Sequence, residues 1–456
     1  MKNRVSLNSV VHTAACMLLG LALIAVPSAQ ATTYSWVAAG SGTWNTSTAN
    51  WSDGVTNPTT WVNGSGNDAF FNAFGSSTTI TVSNSVVANS LSTNGGAGVV
   101  IFNGGQTMDI TTINTAGGGN VGPIDMFNVL TGNHDLNYFG GGTGSSGRLN
   151  LKAANTYTGD TNLSGLAYLF LGTSANVAYL PTSTTLNMGS TATTLRFGAN
   201  NQSQEITGLT SSGNSASIIA TGLTGNTLII NTKSGVTTTY TAKIGNSLSL
   251  EIKGSGTQAL NAGGTKDYTG STTVSAGTLL LGTTLTQTSA VNVTGGTLRT
   301  SGANLTAASV ANITMSSGAV DLNGVGAVGK LTIGGTKDLI TTGGTIKFDL
   351  DTTSTLDQIV GSGAGSNFSL TNTTIELNLI TWTAPNYAST YTLFTGFVDP
   401  GVVSNVTITG YDTANYTATL GTDGVLSFTA VPEPSTVALG AFGIALVAFR
   451  LRRRTV

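Results

Sequence analysis

Cysteine is almost missing. The only one in the chain is Cys16, inside an apolar N-terminal stretch. The chain beyond it therefore has no disulfide, no thiol nucleophile and no cysteine metal ligand. Charge is scarce too, at 8% of residues, with 17 Lys and Arg against 19 Asp and Glu. Helical domains use far more Glu, Lys and Arg than this. Eight prolines exclude collagen, which needs many more and a glycine at every third place. Disorder is excluded from the other side, because 39% of residues are hydrophobic and net charge is low. What is abundant is glycine, 61 in all, together with Thr, Ser and Asn. The class left standing is an extended β protein with many short strands and tight turns.

Positions 1–31 read as a secretory signal. Lys2 and Arg4 give a positive start, residues 14–26 form an apolar run, and Ala29-Gln30-Ala31 is a small-x-small cleavage site. Cys16 precedes most of the apolar run, so it is not placed for lipidation. Such a signal implies the Sec translocon as a partner and a helix at the N-terminus.

The other end carries Pro432-Glu433-Pro434, then an apolar stretch, then Arg450, Arg452, Arg453 and Arg454. Terminal arginines stay on the cytoplasmic side and leave the long preceding chain outside. Residues 437–449 would make a helix of ~20 Å, short of a ~30 Å hydrocarbon core. That length suits a temporary membrane stop. The three-part arrangement resembles the PEP-CTERM sorting signal of Gram-negative bacteria. The resemblance implies recognition by a membrane exosortase that cuts near the motif, and an association with exopolysaccharide and biofilm. It covers positions 431–456 alone.

Without its two ends the chain changes sign balance. Six of the 17 basic residues lie in them, leaving 11, and of the acidic residues only Glu433 leaves, so residues 32–431 carry about −7. That charge speaks against nucleic acid or an anionic membrane as partner.

The middle is repetitive. Tyr157-Thr158-Gly159-Asp160-Thr161-Asn162-Leu163-Ser164 returns further along as Tyr268-Thr269-Gly270-Ser271-Thr272-Thr273-Val274-Ser275. The second copy continues through Gly277 to Leu279, Leu281 and Gly282; the first ends in Leu169-Phe170-Leu171-Gly172 with one residue inserted. A smaller strand-Gly-strand unit starts at Val274, Val293, Met315 and Thr341, so the spacing widens along the chain. Its glycines, Gly277, Gly296, Gly318 and Gly344, fall at corners, and apolar residues alternate on either side. A unit of this size cannot bury its own apolar face, so successive units must stack. Outward places then take Thr, and Asn is expected in ladders at the corners. The Tyr-Thr-Gly-x-Thr unit resembles the autotransporter-associated β-strand repeat, which implies a right-handed parallel β-helix over roughly residues 130–350. The membrane barrel of an autotransporter would need many more strands after the repeats.

The flanks read as caps. Trp36, Trp44, Trp51 and Trp61 crowd the start, with Phe70, Phe71 and Phe74 after them. Such rings can plug an open solenoid end or, if exposed, stack on carbohydrate. Near the other end, Ile375-Leu377-Leu379 and Val406-Ile408 alternate as strands before Val431. The expected organisation is signal 1–31, cap and first rungs 32–129, repeat solenoid 130–350, last rungs and β cap 351–430, and sorting signal 431–456.

Reactive groups are few. His134 is the only histidine after the signal, and no nucleophile elbow accompanies it or its neighbour Asp135. Asp349, Asp351 and Asp357 form the densest acidic group. Asp349 and Asp351 could hold Ca²⁺ or serve a lyase or glycosidase, with Lys347 nearby; the plainer reading is an outward polar face, since Phe348 and Leu350 alternate inward. Gly142, Gly144 and Gly147, and Gly324, Gly326 and Gly329, match a dinucleotide-type glycine pattern, but no βαβ unit follows. Residues 324–330 fall short of a phosphate loop, because Leu331 stands where Ser or Thr would bind Mg²⁺. The expectation is a non-enzymatic, exported surface or matrix protein without cofactor, of adhesive or architectural role, contacting extracellular polysaccharide. The rival is a polysaccharide-degrading enzyme on the same fold.

Overall fold

A computed structural model describes residues 31–431, apart from 73, 142–146, 302–303, 309–311, 364, 382 and 399–400, together with 444, 446–448 and 450. The chain forms an all-β solenoid of the right-handed parallel type with about 11 turns. Two ten-stranded sheets, called A and B here, run through its first half. Near residue 203 the cross-section changes. A nine-stranded sheet C begins with Ser203–Ile206, and an eight-stranded sheet D begins with Thr237–Tyr240. Pairing is parallel almost throughout. Between strands the antiparallel exceptions sit at the ends: Thr33–Trp36 against Trp51–Ser52, and the three-stranded sheet of Tyr391–Thr392, Tyr416–Leu420 and Val425–Ala430; an isolated antiparallel bridge joins Leu350 and Leu356.

Register explains how short strands make a core. Leu228, Leu250, Thr272, Val291, Ile313, Leu339 and Phe368 lie one above another in sheet C. Leu279, Leu298, Val320, Ile346 and Ile375 do the same in sheet D. All of these are buried. The strand Asn226–Thr232 buries every second residue without exception. Each inward Leu or Ile removed from water contributes about 1.5–3 kcal/mol, and stacking makes the columns continuous.

The corner glycines do not share one conformation. Gly277, Gly318 and Gly344 have φ of 60°, 81° and 86°, the left-handed region open to glycine. Gly296 is not among the residues with positive φ; instead a Cβ there would meet the carbonyl carbon of Ala276 at 2.8 Å. The unit that starts at Val293 thus needs glycine for space, not for torsion.

Asparagine ladders form, but not only where expected. Asn162 Nδ2 donates to Asn137 Oδ1 at 2.9 Å and Asn187 Nδ2 to Asn162 Oδ1 at 2.8 Å. These three sit mid-strand on the outer face of sheet A, not at corners. A corner pair exists at Asn372 and Asn405, both with positive φ and joined at 2.5 Å.

The N-terminal tryptophans are buried. Trp36, Trp44, Trp51 and Trp61 expose 3% or less. Trp51 packs 5.1 Å from Trp36, Trp44 and Trp61 and 5.2 Å from Phe71, and Phe71 lies 5.2 Å from Phe102 of the next turns. Their rings face the core, so stacking on carbohydrate is not open to them. Phe70 and Phe74 are half-buried.

The N-terminal signal, including Ala29, lies outside the described residues; Ala31, the first described, is exposed. In the tail, Ile444, Leu446, Val447, Ala448 and Arg450 are helical and exposed, while Pro432, Glu433, Pro434, Arg452, Arg453 and Arg454 lie outside the described residues. Among the described residues no helix is long and apolar enough to cross a membrane. The expected signal helix lies outside the described residues, and of the expected C-terminal helix only those five tail residues are described.

Candidate functional site

The two Tyr-Thr-Gly copies build the same internal device on different sheets. Tyr157 Oη and Thr161 Oγ1 lie 2.6 Å apart, and Tyr268 Oη and Thr272 Oγ1 also 2.6 Å. Each threonine replaces an apolar residue in a buried column, Thr161 between Leu136 and Leu186, Thr272 between Leu250 and Val291. Each passes the bond on, to Thr184 at 2.9 Å and to Thr288 at 3.3 Å. Burial pushes both phenols upward, so they stay neutral. Thr158 Oγ1 donates to Asn133 Oδ1 at 2.6 Å, and the Thr269 amide to the Asn246 carbonyl at 2.8 Å. Gly159 and Gly270 press on the turn below: a Cβ would meet the Asp135 amide nitrogen at 2.5 Å in one and the Leu248 carbonyl carbon at 2.7 Å in the other. Gly277 is a corner, and a Cβ on Gly282 would lie 2.6 Å from Asn261 Oδ1. The motif thus makes structure. The first copy's strand lies in sheet A and the second's in sheet C, because the third sheet enters between them.

The acidic group is not the outward face expected from alternation. Asp349 is 2% exposed and Asp357 is 1% exposed. Asp349 does leave the core side, but the turn at residues 324–329 folds over it. Its Oδ2 accepts the Gly326 amide, and the Ala327 amide at 3.0 Å. Asp357 Oδ1 accepts the Gly329 amide at 2.6 Å, and its Oδ2 the Asp349 amide at 2.8 Å. The glycine-rich stretch that falls short of a phosphate loop instead cradles the chain's own carboxyl groups. Burial pushes the Asp357 carboxyl up to about 7; the two amides oppose this, and the Asp349 and Asp321 charges add to it. Asp351 is half-buried and accepts Thr381 Oγ1 at 2.7 Å, so it does not join Asp349. Lys347 pairs with Glu376 at 3.4 Å. Among the described residues no group of three or more His, Cys, Asp or Glu is arranged to hold a metal ion.

His134 is held at both nitrogens. Nε2 lies 2.6 Å from Asp109 Oδ1 and Nδ1 2.8 Å from the Asp135 carbonyl. The Asp109 contact ties one turn to the one below. Gly142 and Gly144 of the earlier glycine pattern lie outside the described residues, and Gly147 has a φ of 64°.

At the C-terminal end a cavity of about 350 Å³ opens over Phe368, Phe394 and Phe397, rimmed by Thr392, Thr422 and Asp423. Phe368 and Phe394 stack at 4.8 Å beneath it.

One constellation escaped the sequence reading. On the outer face of sheet B, Phe170 pairs in register with Asn150 on one side and Arg196 on the other. Arg148 and Lys152 flank Asn150 two places away on either side, hence on the same face. The three cations gather around the Phe170 ring, Arg148 at 5.6 Å, Arg196 at 5.7 Å and Lys152 at 5.9 Å from its centre. Arg196 Nη1 also donates to Tyr168 Oη at 3.3 Å. The signal available in the sequence was three cations, Arg148, Lys152 and Arg196, each about a turn's length from Phe170.

Residues 430–454 match the family model described as the PEP-CTERM protein-sorting motif. The motif implies export to the cell envelope or surface by an exosortase system. The match does not extend to the Tyr-Thr-Gly copies, whose likeness rests on their residues and shared geometry. No curated protein matches the chain.

Proposed function

We propose that the protein is a non-catalytic structural or adhesive rod of the cell surface or extracellular matrix, which contacts exopolysaccharide and takes part in biofilm. In this reading it enters through the Sec translocon, and an exosortase processes its tail at Pro432, Glu433 and Pro434. The observation that carries the reading is the outer face of sheet A. There, two polar columns are hydrogen-bonded from turn to turn, a short one of Ser92 and Asn114 and a longer one of Asn137, Asn162, Asn187 and Thr210. Repeated weak polar contacts of this kind bind a polymer by avidity. The non-catalytic part is supported by Asp349 and Asp357, whose oxygens already accept backbone amides.

Two measurements test this. Replacing Pro432, Glu433 and Pro434 by alanine in the producing cell should leave the tail attached, seen as an increased mass, and deplete the protein from the surface. The surface form should co-sediment with extracellular polysaccharide and leave its chain length unchanged. Shortening of the polymer by the wild type, abolished by Asp349→Ala, would establish the enzyme instead.

A further inference from the structure

We propose that Arg148, Lys152 and Arg196, held around Phe170 on sheet B, form a binding site for an acidic polysaccharide. The inference rests on the adhesive reading and names the polymer class it would take.

Several other cations have a partner, while Lys233, Lys330 and Lys337 form no ion pair among the described residues and are not gathered at one ring. Lys243 pairs with Asp267 at 3.1 Å, Lys253 with Glu205 at 3.0 Å, Arg299 with Asp321 at 2.7 Å and Lys347 with Glu376 at 3.4 Å. Lys266 is buried and donates to the Gly264, Asn261 and Thr241 carbonyls. Arg148, Lys152 and Arg196 form no ion pair among the described residues, although acids outnumber bases in residues 32–431. The Nε of Arg148 and of Arg196 are buried without a hydrogen-bond partner among them. The nearest carboxylate along the column, Asp125, lies beyond Asn150, which donates to it. Three like charges drawn to one ring repel each other, and the ring's quadrupole offsets only part of that. An anion laid across them removes the repulsion.

The occupant follows from what surrounds the cations. They span three turns spaced ~4.8 Å apart, comparable to successive sugars along a polymer. Tyr168 and the Thr194–Ser217 hydroxyl pair at 3.1 Å offer partners for sugar hydroxyls. Phe170 is engaged by the cations on turns before and after it, so base stacking by single-stranded nucleic acid has no platform. Three cations fall below the cluster that anionic membranes require, and the rod's charge of about −7 repels both nucleic acid and membrane. An extended acidic peptide binds best at a free sheet edge, which a stacked rung in mid-solenoid does not offer.

The test measures retention of the full chain on polygalacturonate, dextran, polyglutamate and phosphatidylglycerol vesicles. The terminal arginines are present in every arm, so only differences between variants count. Polygalacturonate should be bound more tightly than dextran, and binding should weaken with salt. Arg148→Gln/Arg196→Gln should weaken it at least tenfold while circular dichroism stays unchanged. Arg148→Lys/Arg196→Lys keeps the charge and should recover most of the loss. Equal polygalacturonate binding by wild type and the Gln variant overturns the site but leaves the adhesive reading standing. Tighter binding of polyglutamate or vesicles, lost in the Gln variant, overturns the polysaccharide assignment. Failure to bind dextran, polygalacturonate or the producing cell's own polymer overturns both readings.

Discussion

At the scale of single residues, the unusual chemistry sits where backbone amides meet buried carboxylates. Asp357 has a folded pKa of about 7 against an unfolded value of 3.8, with burial as the main cause. The folded state therefore holds a proton that the unfolded chain releases between those values. Its contribution is complete below about pH 4 and disappears as pH rises through 7. Thermal unfolding followed from pH 4 to pH 8 should show a stability loss of about 2–4 kcal/mol, and Asp357→Asn should flatten it. Equal slopes in the two proteins would show that another group governs the window. None of this was readable from alternation along residues 345–350. Alternation places Asp349 outward, which is right for the strand, but the cover comes from the turn at Gly326, a full rung earlier in the chain.

At the scale of the element, the Tyr-Thr-Gly copies are a polar pair set inside an apolar column. The two hydroxyls satisfy each other at 2.6 Å, so each needs the other. Tyr268→Phe should destabilise by about 1–2 kcal/mol, because Thr272 is left with its longer bond to Thr288. Adding Thr272→Val should restore most of that, since both partners are then apolar. Denaturant titration of the two single variants and the double variant gives the coupling directly; additive losses would mean that the pair does not act as a unit. The repeat itself was legible, because Tyr157 and Thr161 recur with the same spacing as Tyr268 and Thr272. The sheet each copy joins was not, since the entry of a third sheet near residue 203 depends on how turns stack, not on local pattern.

At the scale of the whole molecule, a rod of stacked turns has two ends that must not pair with another copy. The N-terminal end is closed by Trp36, Trp44, Trp51 and Trp61 around Phe71, and the C-terminal end by an antiparallel sheet. Trp51→Ala removes the ring at the centre of the first cap and should cost about 3–5 kcal/mol locally. The uncovered first turn should then self-associate, visible as concentration-dependent light scattering. A variant that stays monomeric while losing only stability would show that the ring packs the core without guarding the edge.

By itself the sequence determined the stacked β class, the corner glycines, the aromatic start and the sorting motif at 430–454. All of these follow from neighbours in the chain, through period-two alternation or contiguous residues. Tertiary structure alone decided what meets across turns. It placed the turn at 324–329 over Asp349 and Asp357, and gathered Arg148, Lys152 and Arg196 at Phe170. Turn length varies along the rod, as the widening intervals from Val274 to Val293, Met315 and Thr341 show. The residue one turn away is therefore fixed only when the turns are laid on one another.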